Sequence, residues 1–175
     1  MGTRQLKTLT QKGNHEVGNL NSLKVRTIAN GAMVEGAAID NFLAVELGFN
    51  ADGERTCKAL SDVTKKTYLL AAVERRYMGE EMVDFYNEVG ERVRIVIPDM
   101  GVRFESSAFA LNTGVTEVKN GQVAHFDPAS KEYIISDASA PHADYATADM
   151  KLLVVNNEED LVYTLGKPMV RFEIQ

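Results

Sequence analysis

The run Glu91–Ser106, ERVRIVIPDMGVRFES, decides how the rest of the chain reads. Val93, Ile95 and Ile97 alternate with Arg92 and Arg94, and after Pro98-Asp99-Met100-Gly101 the apolar Val102 and Phe104 alternate with Arg103 and Glu105. That period of two belongs to a strand with one face buried, whereas a helix would repeat every 3.6 residues. Pro98 presets the backbone for the first corner position and Gly101 suits the end of a tight turn, so the run reads as a β-hairpin. The alternation returns in Val170, Phe172 and Ile174, interleaved with Arg171 and Glu173.

Outward from the hairpin, strands are expected at Leu23–Ile28, Ala32–Ile39, Asn41–Phe49, Thr56–Leu60 and Tyr68–Val73, with turns at Asn30-Gly31 and Asn50–Gly53. Met82, Phe85 and Tyr86 are spaced for a helix, so Glu80–Asn87 reads as a short helix or an irregular crossover. Phe109–Gly114 reads as a loop. Gln122–Phe126 and Tyr133–Ile135 read as a second hairpin, Ser136–Asp149 as a long exposed loop, and Met150–Val155, Leu161–Thr164 and Met169–Ile174 as the last strands. Short strands with turn signals at roughly 8–12-residue intervals indicate an all-β protein with at most one or two short helices, a β-barrel or sandwich. The expected organisation is an extended basic arm over residues 1–22 and a β-rich body over 23–175. A division of that body into two small β subdomains would fall near 107–120.

Charge is divided along the 175 residues more sharply than the total of −6 suggests. Residues 1–26 carry Arg4, Lys7, Lys12, Lys24 and Arg26 against Glu16 alone, a net of +4, which leaves −10 for the rest. These five cations are the candidate partner-binding residues, and the arm is expected to lie on an acidic or polar surface. An acidic body argues against sustained nucleic-acid binding, which depends on clustered Lys and Arg. Neither a signal-peptide core nor an apolar run of about 18 residues occurs, so no membrane partner is expected. The single cysteine, Cys57, has no partner for an internal disulfide and is read as a packed strand residue.

Catalytic signatures are absent: there is no G-x-S-x-G, Walker loop or dinucleotide fingerprint. The three histidines, His15, His125 and His142, show no i, i+4 pairing. The nearest approach to a metal set is His142 and Asp144 with Asp137 and Asp149 in the neighbourhood, and it reads as a solvated acidic loop. His125 is expected to be a hydrogen-bonded structural residue of a strand. The sequence therefore assigns no catalytic residue, cofactor or metal, and the body is expected to fold without one. Arg75-Arg76, or Arg92, Arg94 and Arg103 on one hairpin face, read as cations paired with local glutamates.

Several short stretches resemble the capsid decoration, or cement, proteins of tailed bacteriophages. They are Arg26-Thr27-Ile28, Asn30-Gly31, Gly53-Glu54-Arg55 with Lys58-Ala59, Asp84-Phe85-Tyr86-Asn87 before Gly90, then Arg94 and Gly101–Phe104, within a likeness running from about Val25 to Gln175. The resemblance implies a non-enzymatic virion protein on the capsid exterior, assembled in the host cytoplasm. Its partner would be the major capsid protein, with copies of itself as a second partner. Two other classes fit the composition: a tail, baseplate or head-fibre component, and a β-barrel metal-binding enzyme.

Overall fold

The computed structural model describes residues 25–73, 85–156 and 168–175. The arm with Arg4, Lys7, Lys12 and Lys24, residues 80–84 of the expected helix or crossover, Arg75-Arg76 and the expected strand Leu161–Thr164 lie outside the described residues. The protein is nearly all β: strands account for every regular element described except one 3-10 turn, Ala143–Ala146. No helix among the described residues is long and apolar enough to cross a membrane.

Among the described residues the strands form two six-stranded sheets. The first comprises β1 (Ala32–Val34), β2 (Ala44–Phe49), β3 (Arg55–Ala59), β4 (Tyr68–Leu70), β5 (Arg92–Val93) and β6 (Ile95–Val96), in the order β5-β1-β3-β2-β4-β6. Its two outer members are halves of one segment interrupted only at Arg94, so the sheet curls into a nearly closed barrel. Backbone bonds complete the ring: Ala71 N donates to Arg94 O (3.0 Å), Ile28 N to Ile95 O (3.0 Å) and Ile97 N to Arg26 O (2.9 Å). Residues 26–28, expected as a first strand, thus bridge to β6, with Thr27 opposite Val96. Between that bridge and β1 the chain kinks at Asn30-Gly31, both at φ +59°. Only glycine fits at 31, because a Cβ there would lie 2.0 Å from Val93 O.

The second sheet holds β7 (Arg103–Ser106), β8 (Phe109–Leu111), β9 (Val123–Asp127), β10 (Glu132–Ser136), β11 (Leu152–Val154) and β12 (Val170–Ile174), in the order β7-β12-β11-β9-β10-β8. Each sheet contains one parallel pair, β1 with β3 and β8 with β10. The β9–β10 pair is the expected second hairpin, in register Tyr133 opposite Phe126.

The central hairpin is not one. Its first arm, β5–β6, belongs to the first sheet and pairs with β1 and β4; its second, β7, belongs to the second sheet and pairs with β12. Pro98–Gly101 does turn the chain, with Val102 N on Asp99 O (3.1 Å), but Gly101 N then donates to Ile174 O (2.8 Å) and steers the chain onto β12. Phe109–Leu111, expected as loop, is strand β8, because it finds β10 as a distant partner.

One apolar cluster joins the sheets. Val34, Val45, Leu69, Leu70 and Ile95 come from the first, and Phe104, Phe126, Tyr133, Leu152 and Phe172 from the second. Phe42 sits at the join in the left-handed region (φ +59°), a conformation that costs a non-glycine residue about 1–2 kcal/mol. Ring contact with Phe104 (centroids 6.4 Å apart) and a bond from Tyr133 Oη to Phe42 O (2.7 Å) offset that cost.

Candidate functional site

Ala124 and Phe126 of β9 point into the shared core, so His125 between them points to the other face of the sheet. That face is covered by the long segment after β10, and His125 is buried, 1% exposed. Neither ring nitrogen has a hydrogen-bond partner. The expected hydrogen-bonded histidine is therefore corrected: no polar group on that face bonds either ring nitrogen, and the covering loop brings a second imidazole beside it. The rings of His125 and His142 lie 5.0 Å apart with planes 27° from parallel. Burial, helped by nearby His142, pushes the His125 pKa down against the opposing pull of Asp144 and Asp127, so its neutral form is favoured.

His142 is placed by three bonds. Its backbone N donates to Ser136 Oγ at the end of β10 (3.1 Å) and its carbonyl accepts from Tyr145 N (3.0 Å). Its Nδ1 accepts from Asp144 N (3.3 Å), capping the 3-10 turn. Asp144 Oδ2 lies 3.6 Å from the same Nδ1. One ligand atom from each of His125, His142 and Asp144 falls within 4.8 Å of the other two. The other acids of that loop go elsewhere. Asp137 accepts from Gln122 Nε2 (3.2 Å), and Asp149 accepts from Thr67 N (2.8 Å) and pairs with Lys66.

Asp144 also lines a cleft of about 350 Å³ with Ser61, Asp62 and Val63 of the β3–β4 loop and Asp127, Pro128 and Ala129 at the β9–β10 turn. Burial pushes the Asp127 carboxyl up, but bonds from the Ser130 side chain and the Ala129 and Ser130 amides outweigh it and hold the carboxyl below the usual range. The opposite wall is fixed by Glu46, which accepts from Ser61 Oγ (2.8 Å) and Lys65 Nζ (3.1 Å) and pairs with Lys58. Burial opposes ionisation of Glu46, yet these donors lower its pKa from 4.5 to about 2. A depressed folded-state pKa gives stability that is present above about pH 4.5 and lost as pH falls towards 2. Glu46→Gln is expected to flatten that acid limb in urea titrations between pH 5 and pH 2, while an unchanged slope would deny Glu46 this role.

Of the five cations of the N-terminal region, Arg26 lies among the described residues, and it holds Asp99 through two guanidinium nitrogens, Nε to Oδ2 at 2.6 Å and Nη2 to Oδ1. Arg92 pairs with Glu54 (3.2 Å), Arg103 with Glu173 (2.6 Å), and Arg94 donates to Ala71 O (2.6 Å). Cys57 is buried, and burial pushes its thiol up to about 12, which keeps it protonated.

No solved structure matches the chain. A Bacillus subtilis (strain 168) protein described as SPbeta prophage-derived uncharacterized protein YonC is 61% identical over 175 residues, covering 99% of this chain and 98% of the relative. Residues 11–175 match the family described as YonC prophage protein. With nearly its whole length inside that match, the chain belongs to the YonC prophage protein family.

Proposed function

We propose that this chain is a virion structural protein that binds the outer surface of an assembled bacteriophage head and stabilises contacts between major capsid protein subunits. Membership of a prophage family carries the reading, since it ties the chain to a phage genome. Composition supports it: a nearly all-β, acidic body is preceded by a segment of net charge +4. The arginines described on the body are largely committed to internal partners, as with Arg26 and Asp99 or Arg103 and Glu173. Attachment then falls to Arg4, Lys7, Lys12 and Lys24 of the arm, placed against an acidic or polar capsid surface. Exposed ion pairs of that kind weaken as salt rises. The protein works without catalysis, nucleic acid or membrane, is assembled in the host cytoplasm, and meets copies of itself only as neighbours on the shell.

The test is quantitative mass spectrometry of virions separated into heads and tails. The chain should follow intact heads in near-stoichiometric ratio to the major capsid protein. Removing residues 1–21 should release it from heads while leaving its Tm within about 2 °C, because terminal polar segments add little to a core. Recovery in tails or baseplates would reassign it to those structures, and absence from virions would end the proposal.

A further inference from the structure

Both nitrogens of His125 are buried without a partner, which leaves a strongly polar ring uncompensated inside the protein. Beside it stand the His142 imidazole, whose Nδ1 caps the 3-10 turn, and the Asp144 carboxylate. We propose that His125, His142 and Asp144 form a binding site for a divalent first-row transition metal ion of the zinc type. The inference is independent of the head-binding reading.

The donor chemistry and spacing fit such an ion. Two imidazoles and one carboxylate suit zinc and its first-row neighbours better than calcium or magnesium, which take all-oxygen shells. At zinc–nitrogen distances of about 2.0–2.1 Å, two imidazoles at a tetrahedral angle put their ring centres about 5 Å apart. The observed separation is 5.0 Å. Ligand atoms around such an ion lie about 3.3–3.5 Å apart, so the 4.8 Å span must contract. The contraction is open to His142 and Asp144, whose side chains are 37% and 53% exposed. His125 would be the rigid ligand, set by β9, and the loop would close on it. Asp144 also lines the cleft with Ser61 and Asp127, so a three-residue ligand set would stand beside it. An ion here would clip the segment 137–149 to β9 and add to the stability of the fold. This departs from the solvated loop that the sequence suggests, because the sequence does not show His125 beneath that loop.

The full chain, stripped with a chelator and exchanged into metal-free buffer, is titrated with ZnCl2 by calorimetry and with CoCl2 by visible absorption. Expected are one Zn2+ per chain with Kd of about 1 µM or tighter, and Co2+ bands of the intensity typical of four-coordinate sites. At a hundredfold excess over Kd, Tm should rise by about 5–10 °C. His142→Ala and Asp144→Ala alter exposed side chains and keep the fold, which circular dichroism verifies. Each should weaken Zn2+ binding by at least about 10–100-fold and abolish the Tm rise. Absence of binding at 100 µM Zn2+ to folded protein overturns the proposal. Full affinity retained in both variants overturns it equally, because the ion would then sit elsewhere, for instance on His15.

Discussion

Replacing Phe104 by Ala is expected to destabilise the protein by about 3–5 kcal/mol, the range for removing a large aromatic from a packed core. Phe104 is fully buried, and its ring lies 5.4 Å from Tyr133, 5.7 Å from Phe172 and 6.4 Å from Phe42. Phe42 precedes β2 of the first sheet while the other three rings belong to the second, so the cavity would open where the two sheets meet. Urea unfolding should retain a single transition with its midpoint lowered, because the sheets share this core and neither can keep its side alone. Arg103→Ala, one residue away and 44% exposed in its side chain, should cost less than about 1 kcal/mol. Equal losses for the two variants, or a Phe104→Ala protein that unfolds in two steps, would contradict this account of the core.

Arg171→Met is expected to be comparably costly, about 3–5 kcal/mol, for an electrostatic reason. Arg171 sits opposite Glu105 across β12 and β7, and donates to Glu105 Oε1 from both Nε (2.8 Å) and Nη2 (2.6 Å). The Glu105 side chain has no exposed surface and that of Arg171 only 14%. Removing the guanidinium leaves a carboxylate in a medium that solvates it poorly, whereas removing both charges does not. The double variant Arg171→Met, Glu105→Leu should therefore recover most of the loss. A double variant no more stable than Arg171→Met would show that the pair's charge is not what matters at this position.

Which side chains face the core was largely legible from alternation. Val93, Ile95, Phe104, Phe172 and Ile174 are buried as their parity requires, but the alternation breaks after Ile95, where Val96 is fully buried and Ile97 only half. Which strand meets which was not. Pro98-Asp99-Met100-Gly101 carries every local sign of a hairpin turn, and the turn forms; but a turn fixes only its own few residues, and long-range partners capture the strands on either side. β8 was hidden for the same reason, since Phe109-Ala110-Leu111 is short, half exposed and paired only with a strand more than 20 residues onward. Glu105 shows a third limit. Its alternation with Phe104 suggested an exposed face, but nothing in spacing announced that Arg171 would sit opposite and let it be buried.

The histidine pair was not read from the sequence. His125 lies one residue out of phase with Ala124 and Phe126, a parity that sets it on the sheet's other face once those two are known to lie in the core. The chain leaving β10 must also come back past β9, because β11 pairs with β9 at Leu152 and Ala124. Only the second fact puts His142 over His125, and it depends on strand order, which single-sequence periodicity does not contain.

The ring formed by the first sheet bears on how copies of this protein can crowd together. An open sheet offers a row of unpaired backbone donors and acceptors, a template on which another chain can add a strand and begin to aggregate. Here the segment that would be that edge is already bonded on both flanks, to Leu69–Ala71 on one and to Arg26–Ile28 on the other. Strand addition at this seam is closed to a second copy. Contacts between neighbouring copies there must be made by side chains, and these can be tuned or reversed by single substitutions in a way that a continuous intermolecular sheet cannot.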